Sequence, residues 1–312
     1  MIITYAGELA ALLTAFFWTV TAISFESAGK KIGSLSVNLI RLFFAFVFIG
    51  LLSLVTQGQF FPLGASVHNW IWLSVSGFVG FVLGDMLLFR AYIVVGARVS
   101  MLIMSLSPPL AAVAGWLILG ETMDARSIAG MAVTIAGISM VILKRERNNI
   151  ENGPTGQINK KRRNSYKFSY PVTGVLLALG GAAGQATGLV LSKYGMEDYN
   201  PFQANQIRMI TGFFGFAMIF TILRRWNRLV PALKNRQGMS WLTLGAFFGP
   251  FLGASFSLVA VKYTASGIAA TIMSLVPVII IAPAVIIFKE KVTPVEIAGA
   301  IIAFLGVAMF FM

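Results

Sequence analysis

Cysteine is absent from the 312 residues, and histidine occurs once, at His68. The first absence excludes disulfides and thiolate metal ligation. The second removes most imidazole catalysis and most zinc sites. Charge is scarce as well. Asp, Glu, Lys and Arg make up 11% of the chain and hydrophobic residues 57%, where soluble domains carry roughly 25% charged residues. A soluble fold of this size is excluded on that ground. The strict apolar–polar alternation of a membrane β-barrel is missing too. The N-terminus has no basic stretch ahead of its first apolar run, so that run reads as a membrane span and not as a cleavable signal peptide. The net charge of +13 does not imply nucleic acid, because the basic residues gather between the apolar runs, where they set topology and meet anionic lipid headgroups.

What remains is a series of apolar runs near the length of about 20 residues that a bilayer core requires. Ten are bounded by charge, Pro or Gly: 6–25, 35–56, 70–89, 97–119, 126–143, 171–192, 201–223, 240–261, 267–288 and 294–312. A chain crossing lipid must satisfy its own backbone, so each is expected to be a helix. The expected fold class is an all-α integral membrane protein.

The runs repeat. Trp72–Ile142 aligns with Trp241–Phe311 without a gap at an offset of 169. Shared residues include Gly80/Gly249, Gly84/Gly253, Ala91/Ala260, Ile103–Leu106/Ile272–Leu275, Pro108/Pro277, Glu121/Glu290, Gly130/Gly299 and Gly137/Gly306. Shared Pro, Glu, Trp and Met at one fixed offset are harder to ascribe to composition than shared Leu or Ala. The front of each copy echoes at an offset of 167: Gly7 with Gly174, and Asn38-Leu-Ile-Arg41 with Asn205-Gln-Ile-Arg208. The chain reads as two related halves, 1–145 and 171–312, joined by a polar, basic linker at 146–170. Five spans per half is an odd number, so the halves cross in opposite senses and form inverted repeats. Most Lys and Arg outside the spans fall on one side, including Lys30, Lys31, Lys144, Arg145, Arg147, Lys160–Arg163, Arg224, Arg225 and Arg228. The positive-inside rule makes that side cytoplasmic and leaves both termini outside. The stretch Arg224–Arg236, with Trp226, Leu229 and Leu233, reads as an interfacial anchor.

Polar residues at membrane depth are costly and therefore candidates for function. Arg41 and Arg208 occupy equivalent positions in the two halves, each with an asparagine, Asn38 or Asn205, one turn earlier. Each arginine either locks helices together or meets an anionic group of a solute. Asp85 is the leading acidic candidate, and it either pairs with Arg41 across helices or binds a cation or proton. Its repeat mate is Ala254. Trp18 and Gln185 are also equivalent, and with Ser257, Tyr92 and Tyr263 they are expected near one central cavity. Pro108 and Pro277 interrupt their runs at matching places, each three residues after a serine, Ser105 or Ser274. Kinks at matching points mark either bent packed helices or a binding site at the repeat interface. Glu26 precedes Lys30 by four residues and reads as a solvated helix-end pair. Glu121 and Glu290 read as acids favouring the start of a following helix.

The repeated pattern Ala91…Ser105-x-x-Pro108…Glu121…Gly130…Gly137 and Ala260…Ser274-x-x-Pro277…Glu290…Gly299…Gly306, with Trp18, Arg41 and Arg208, resembles the drug/metabolite transporter superfamily in its EamA-type ten-helix branch. That resemblance implies a multi-pass transporter in the cell inner membrane, effluxing a small metabolite such as an amino acid or a drug-like solute by alternating access, with no cofactor and with protons as a candidate coupling ion. Four-helix relatives use a glutamate midway along their first helix. This chain has none there, since Glu8 lies near the end, so facilitated diffusion or exchange stays open. The rival classes are a lipid-modifying membrane enzyme, which needs acid–base pairs or metal ligands that are scarce here, and a non-transporting scaffold.

Overall fold

The computed structural model describes residues 6–120, 125–146, 165–168, 170–263, 272–289 and 291–311. Glu121, Glu290 and the basic run Lys160–Arg163 lie outside the described residues, as does the side chain of Tyr263. Helix α1 spans Ala6–Ile32 and stops at Gly33, whose φ of 81° breaks it before α2, Ser34–Gln57. Gly58 ends α2 in the left-handed region and donates its N–H to the Leu54 carbonyl, satisfying a group the helix would leave bare. Helix α3, Val67–Gly77, opens on a reciprocal cap between Ser66 and Asn69. It runs through a π-helical stretch, Phe78–Gly84, into α4, Asp85–Met104. Helices α5, Ser107–Leu119, and α6, Ala125–Ile142, complete the first half.

The second half follows the same plan. Helices α7, Val172–Met196, and α8, Pro201–Ile222, lead to a 3-10 turn, Trp226–Arg228, and α9, Leu229–Lys234. The chain bends by 109° between α8 and this basic, tryptophan-bearing piece. Helix α10, Arg236–Ala246, passes through a second π-helical stretch, Phe247–Gly253, into α11, Ala254–Tyr263. The two π stretches coincide under the repeat offset. Helices α12, Val276–Ile279, α13, Ile281–Phe288, and α14, Pro294–Phe311, close the chain. Between the halves, β1, Leu143–Glu146, pairs antiparallel with β2, Ser165–Phe168. The ends of the expected linker are therefore paired strands and not open chain.

Among the described residues, five helices are long and apolar enough to cross a membrane, and six if the bent pair counts as one. The prolines differ from expectation. The run 97–119 is not one helix, because it breaks at Ser105–Leu106, and the equivalent run breaks at Ser274–Leu275. Pro108, Pro109 and Pro277 sit in the first turn of the helix after each break. A first-turn amide has no intrahelical partner, so these prolines remove no helical hydrogen bond. Gly96, with φ 82° and ψ 161°, breaks α4 as well. Glu26 is also not solvated. It is 1% exposed, pairs with Lys30, and accepts the N–H of Ala97, the first residue after the Gly96 break. Position Ala97 starts a new helical segment with a bare amide, and a carboxylate is the natural cap for it.

The halves are mated through glycine. Helix α7 lies along α3 and its π stretch. A Cβ on Gly184 would stand 2.6 Å from the Gly84 Cα, and one on Gly188 would stand 2.8 Å from the Gly80 Cα. The equivalent contact brings α10 and its π stretch against α1, where Gly249 meets Thr21. Helices α6 and α14 cross each other through Gly137 and Gly306, whose added Cβ atoms would fall 2.4 Å from the backbone nitrogens of Ala303 and Thr134. In lipid, where apolar surface gains little from association, close backbone approach supplies the contact. Three buried threonine hydroxyls are satisfied locally: Thr14, Thr19 and Thr21 donate to carbonyls four residues back.

Gly137→Ala and Gly306→Ala are expected to lower stability by about 1–3 kcal/mol each, since the crossing must open to admit a methyl. Gly29→Ala is the control, because its Cβ would meet only the tip of Ile93 at 3.4 Å. Thermal unfolding of the three variants in detergent checks this, and equal melting of all three would refute the seam.

Candidate functional site: a buried polar cluster between the halves

Helix α2 turns Asn38 and Arg41 to one face, a single turn apart. The π stretch ends at Asp85, the first residue of α4, and delivers its carboxylate opposite Arg41. Arg41 and Asp85 form an ion pair in which both side chains are about 95% buried. Arg41 Nε donates to Asn38 Oδ1 at 3.0 Å, and Asn38 Nδ2 lies 3.4 Å from the Asp85 carbonyl. From the second half, Gln185 on α7 donates to the other carboxylate oxygen of Asp85. Gln185 comes close because Gly84 has no side chain: a Cβ there would stand 3.2 Å from the Gln185 nitrogen. The Arg41 guanidinium lies 4.5 Å from the Phe89 ring centroid, so its face is covered by an aromatic and its edge by acceptors.

Arg208 on α8 packs against Phe81, 4.6 Å from that ring centroid, and Arg41 lies 5.9 Å from the same ring. Asp85 interacts electrostatically with Arg208, more weakly than with Arg41. The Arg208 Nε is buried without a hydrogen-bond partner among the described residues, and so is Asn205 Oδ1 one turn earlier.

A second polar group joins the halves nearer the helix ends. Arg98, just past the Gly96 break, lies 3.5 Å from Glu296 and 3.4 Å from the Tyr170 hydroxyl. Tyr170 donates to Glu296 at 2.5 Å. Burial and the Glu296 carboxylate beside it push the Tyr170 hydroxyl up to about 12, so it remains a donor at neutral pH. A small open cleft of about 10 Å³, room for roughly one water, lies here, where Arg98, Leu102, Pro277 and Glu296 meet.

The EamA-like transporter family model matches residues 5–143 and 172–312, one half of the chain each. The chain belongs to the EamA-like transporter family. A solved structure described only as the crystal structure of a protein is 16% identical, covers 97% of this chain and 95% of its own, and superposes with a TM-score of 0.60. That likeness speaks for the fold alone. No curated protein matches.

Within this EamA-like chain, the residues expected to share a centre divide. Asn38, Arg41, Asp85 and Gln185 are joined by hydrogen bonds, and Arg208 and Asn205 stand beside them. Trp18 lies at the equivalent of Gln185 and packs near Gly253, the equivalent of Gly84, in the symmetry-related place and not in the cluster. Ser105 is buried in the turn before Pro108, with its hydroxyl unpartnered among the described residues. Ser274 is buried in the matching turn before Pro277. Ser257 donates to the Ala254 carbonyl within its own helix. Tyr92 is buried and donates to the Met101 sulfur at 3.2 Å. The Arg98–Glu296–Tyr170 group is not among the residues the sequence singles out. One signal was available: Thr293 and Glu296 cap α14 reciprocally, and Thr-x-x-Glu ahead of an apolar run is readable as such.

Asp85→Asn leaves Arg41 charged and without a counter-ion in the core. It is expected to destabilise the protein by about 3–5 kcal/mol. Adding Arg41→Gln should recover part of that loss. Unfolding of both single variants and the double variant in detergent measures the coupling, and additive losses would show that the pair contributes nothing.

Proposed function

We propose that the protein is a secondary transporter that exports a small metabolite, amino-acid-like or drug-like, across the cell inner membrane by alternating access. Membership of the EamA-like family makes it a membrane transporter of small solutes. The observation that carries the finer reading is the central cluster: Asn38, Arg41 and Asp85 come from one half and Gln185 from the other, on helices mated through equivalent glycines. A solute site between two related halves is what rocking one half against the other can expose to each side in turn. Matched π stretches support the same reading, since π turns recur where a side chain must be re-aimed. On this proposal ten helices span the bilayer as two inverted five-helix repeats. The basic side faces the cytoplasm, both termini lie outside, and Asp85 is the group a coupling proton would use. Lipid turnover or a scaffolding role has no comparable observation in its favour.

Purified protein in liposomes, screened with labelled amino acids and cationic dyes with and without a pH gradient, tests the proposal. Solute flux is expected, and Asp85→Asn should reduce it by at least about tenfold if protonation of that carboxylate is coupled to movement. Absence of flux for every solute, in protein shown to be folded, would count against transport.

A further inference from the structure

Charge bookkeeping at the centre of the molecule is uneven. Arg41 has Asp85, Arg98 has Glu296, and Glu26 has Lys30. Arg208 has no carboxylate of its own among the described residues. The repeat position corresponding to Asp85 in its half is Ala254, and Asp85 itself is engaged on both oxygens, by Arg41 and by Gln185. Among the described residues, Asp85 is the acid whose charge acts on Arg208. Two guanidinium groups therefore share one carboxylate, which leaves one positive charge in surroundings where an uncompensated charge is costly.

Arg208 is nonetheless held, not stray. Its guanidinium packs over Phe81, and Nη2 would lie 3.3 Å from a Cβ at Gly80, so the absence of a side chain at that glycine makes its place. The backbone around it is fixed by Gly77, whose Cβ would meet the Arg208 carbonyl at 2.6 Å. One face of the group is covered by an aromatic ring, its Nε donor is unused among the described residues, and the residue as a whole is only half-buried. Arginine in this state is a bidentate receptor for a planar anion.

We propose that Arg208 is the docking point for a carboxylate on the transported solute. This rests on the transporter reading above and narrows it to a substrate class: organic acids carrying one carboxylate at the end that enters the site. A single negative charge neutralises the excess positive charge. A phosphate dianion would over-compensate it, and a cation would add to it. The pairing of Arg41 with Asp85 in the first half shows what the bound state of the second half resembles, with the solute's carboxylate standing in for the acid that Ala254 does not supply.

The test uses purified protein in detergent and three acid/amide pairs that differ in charge and little else: acetate and acetamide, benzoate and benzamide, N-acetyl-L-phenylalanine and its carboxamide. Thermal stabilisation reports binding. At least one acid is expected to bind the wild type about tenfold or more tightly than its amide, since a charge-assisted hydrogen bond to a buried guanidinium is worth at least that factor. Arg208→Gln should abolish the preference, and Arg208→Lys should retain part of it. Stability without ligand separates this from a structural role. Arg208→Gln removes an uncompensated charge and should melt no lower than wild type, whereas a helix lock would melt lower. No acid preferred over its amide, a preference surviving Arg208→Gln, or stabilisation by chloride unmatched by any carboxylate would each overturn the site. Liposome flux of neutral or cationic solutes that is indifferent to Arg208→Gln would remove the site and leave the transporter reading standing. Acid-selective binding with no flux would do the reverse.

Discussion

The Arg41–Asp85 ion pair is the interaction on which the interior depends. Neither partner could stay charged alone among helices this apolar, and each fixes the element that carries it. Asp85 opens α4 directly after the π stretch, which shifts the register of α4 relative to α3 and sets the carboxylate opposite Arg41. That stretch in turn needs Gly80 and Gly84, which let α7 approach closely enough for Gln185 to take the second carboxylate oxygen. A buried ion pair of this kind is weak evidence for stability, because desolvation offsets most of the attraction. Its consequence is geometric: it specifies one arrangement of α2, α4 and α7.

The duplication explains why the same devices recur with different contents. Equivalent glycines carry both the α3–α7 and the α1–α10 contacts, and equivalent π stretches precede Asp85 in one half and Ala254 in the other. Backbone features have been kept while side chains at the centre have diverged. Backbone approach is demanded by packing in lipid wherever two helices must cross, and both halves face that demand alike. On the proposed reading the centre faces a single site, and one site has no need of two copies of the same acid.

Much of this was legible in the sequence. A fixed-offset repeat of Gly, Pro and Ser is independent of conformation, so the two halves and their matched breaks could be read directly. The Arg41–Asp85 pair was one of the two alternatives the sequence left for Asp85, and the structure decides for it because the two side chains face each other across α2 and α4. Glu26 was misread because an i,i+4 partner, Lys30, gave a sufficient local account of it. Its burial comes from Ala97, which is distant in sequence and receives a cap only because Gly96 breaks α4. The prolines were misplaced for a related reason: composition marks a break but does not say on which side of it the proline sits. Arg98 and Glu296 escaped notice because each lies near the end of an apolar run, where a charge needs no explanation until tertiary structure brings the two together.

The location of each polar group relative to the boundary between halves bears on what can move. Arg41 and Asp85 belong to the same half, so motion of one half against the other carries the ion pair along intact. The contacts that cross the boundary at that depth include the Gln185–Asp85 hydrogen bond and those of the Ser76 hydroxyl with the Gly188 carbonyl and the Ser192 hydroxyl. Hydrogen bonds of these kinds contribute about 0.5–3 kcal/mol each. Among the described residues, the Arg98–Glu296 pair crosses the boundary near the helix ends, beside the cleft, with side chains 9% and 13% exposed. Water can replace its partners there far more readily than at the centre. On the proposed transport reading, the fully buried ion pair stays within one half, and the contacts between the halves are hydrogen bonds and a less deeply buried pair. Arg208 fits the same pattern from the other side. It sits in the second half against Phe81 of the first, a ring contact that constrains distance far less than an ion pair would, and its charge remains available to whatever enters between the two.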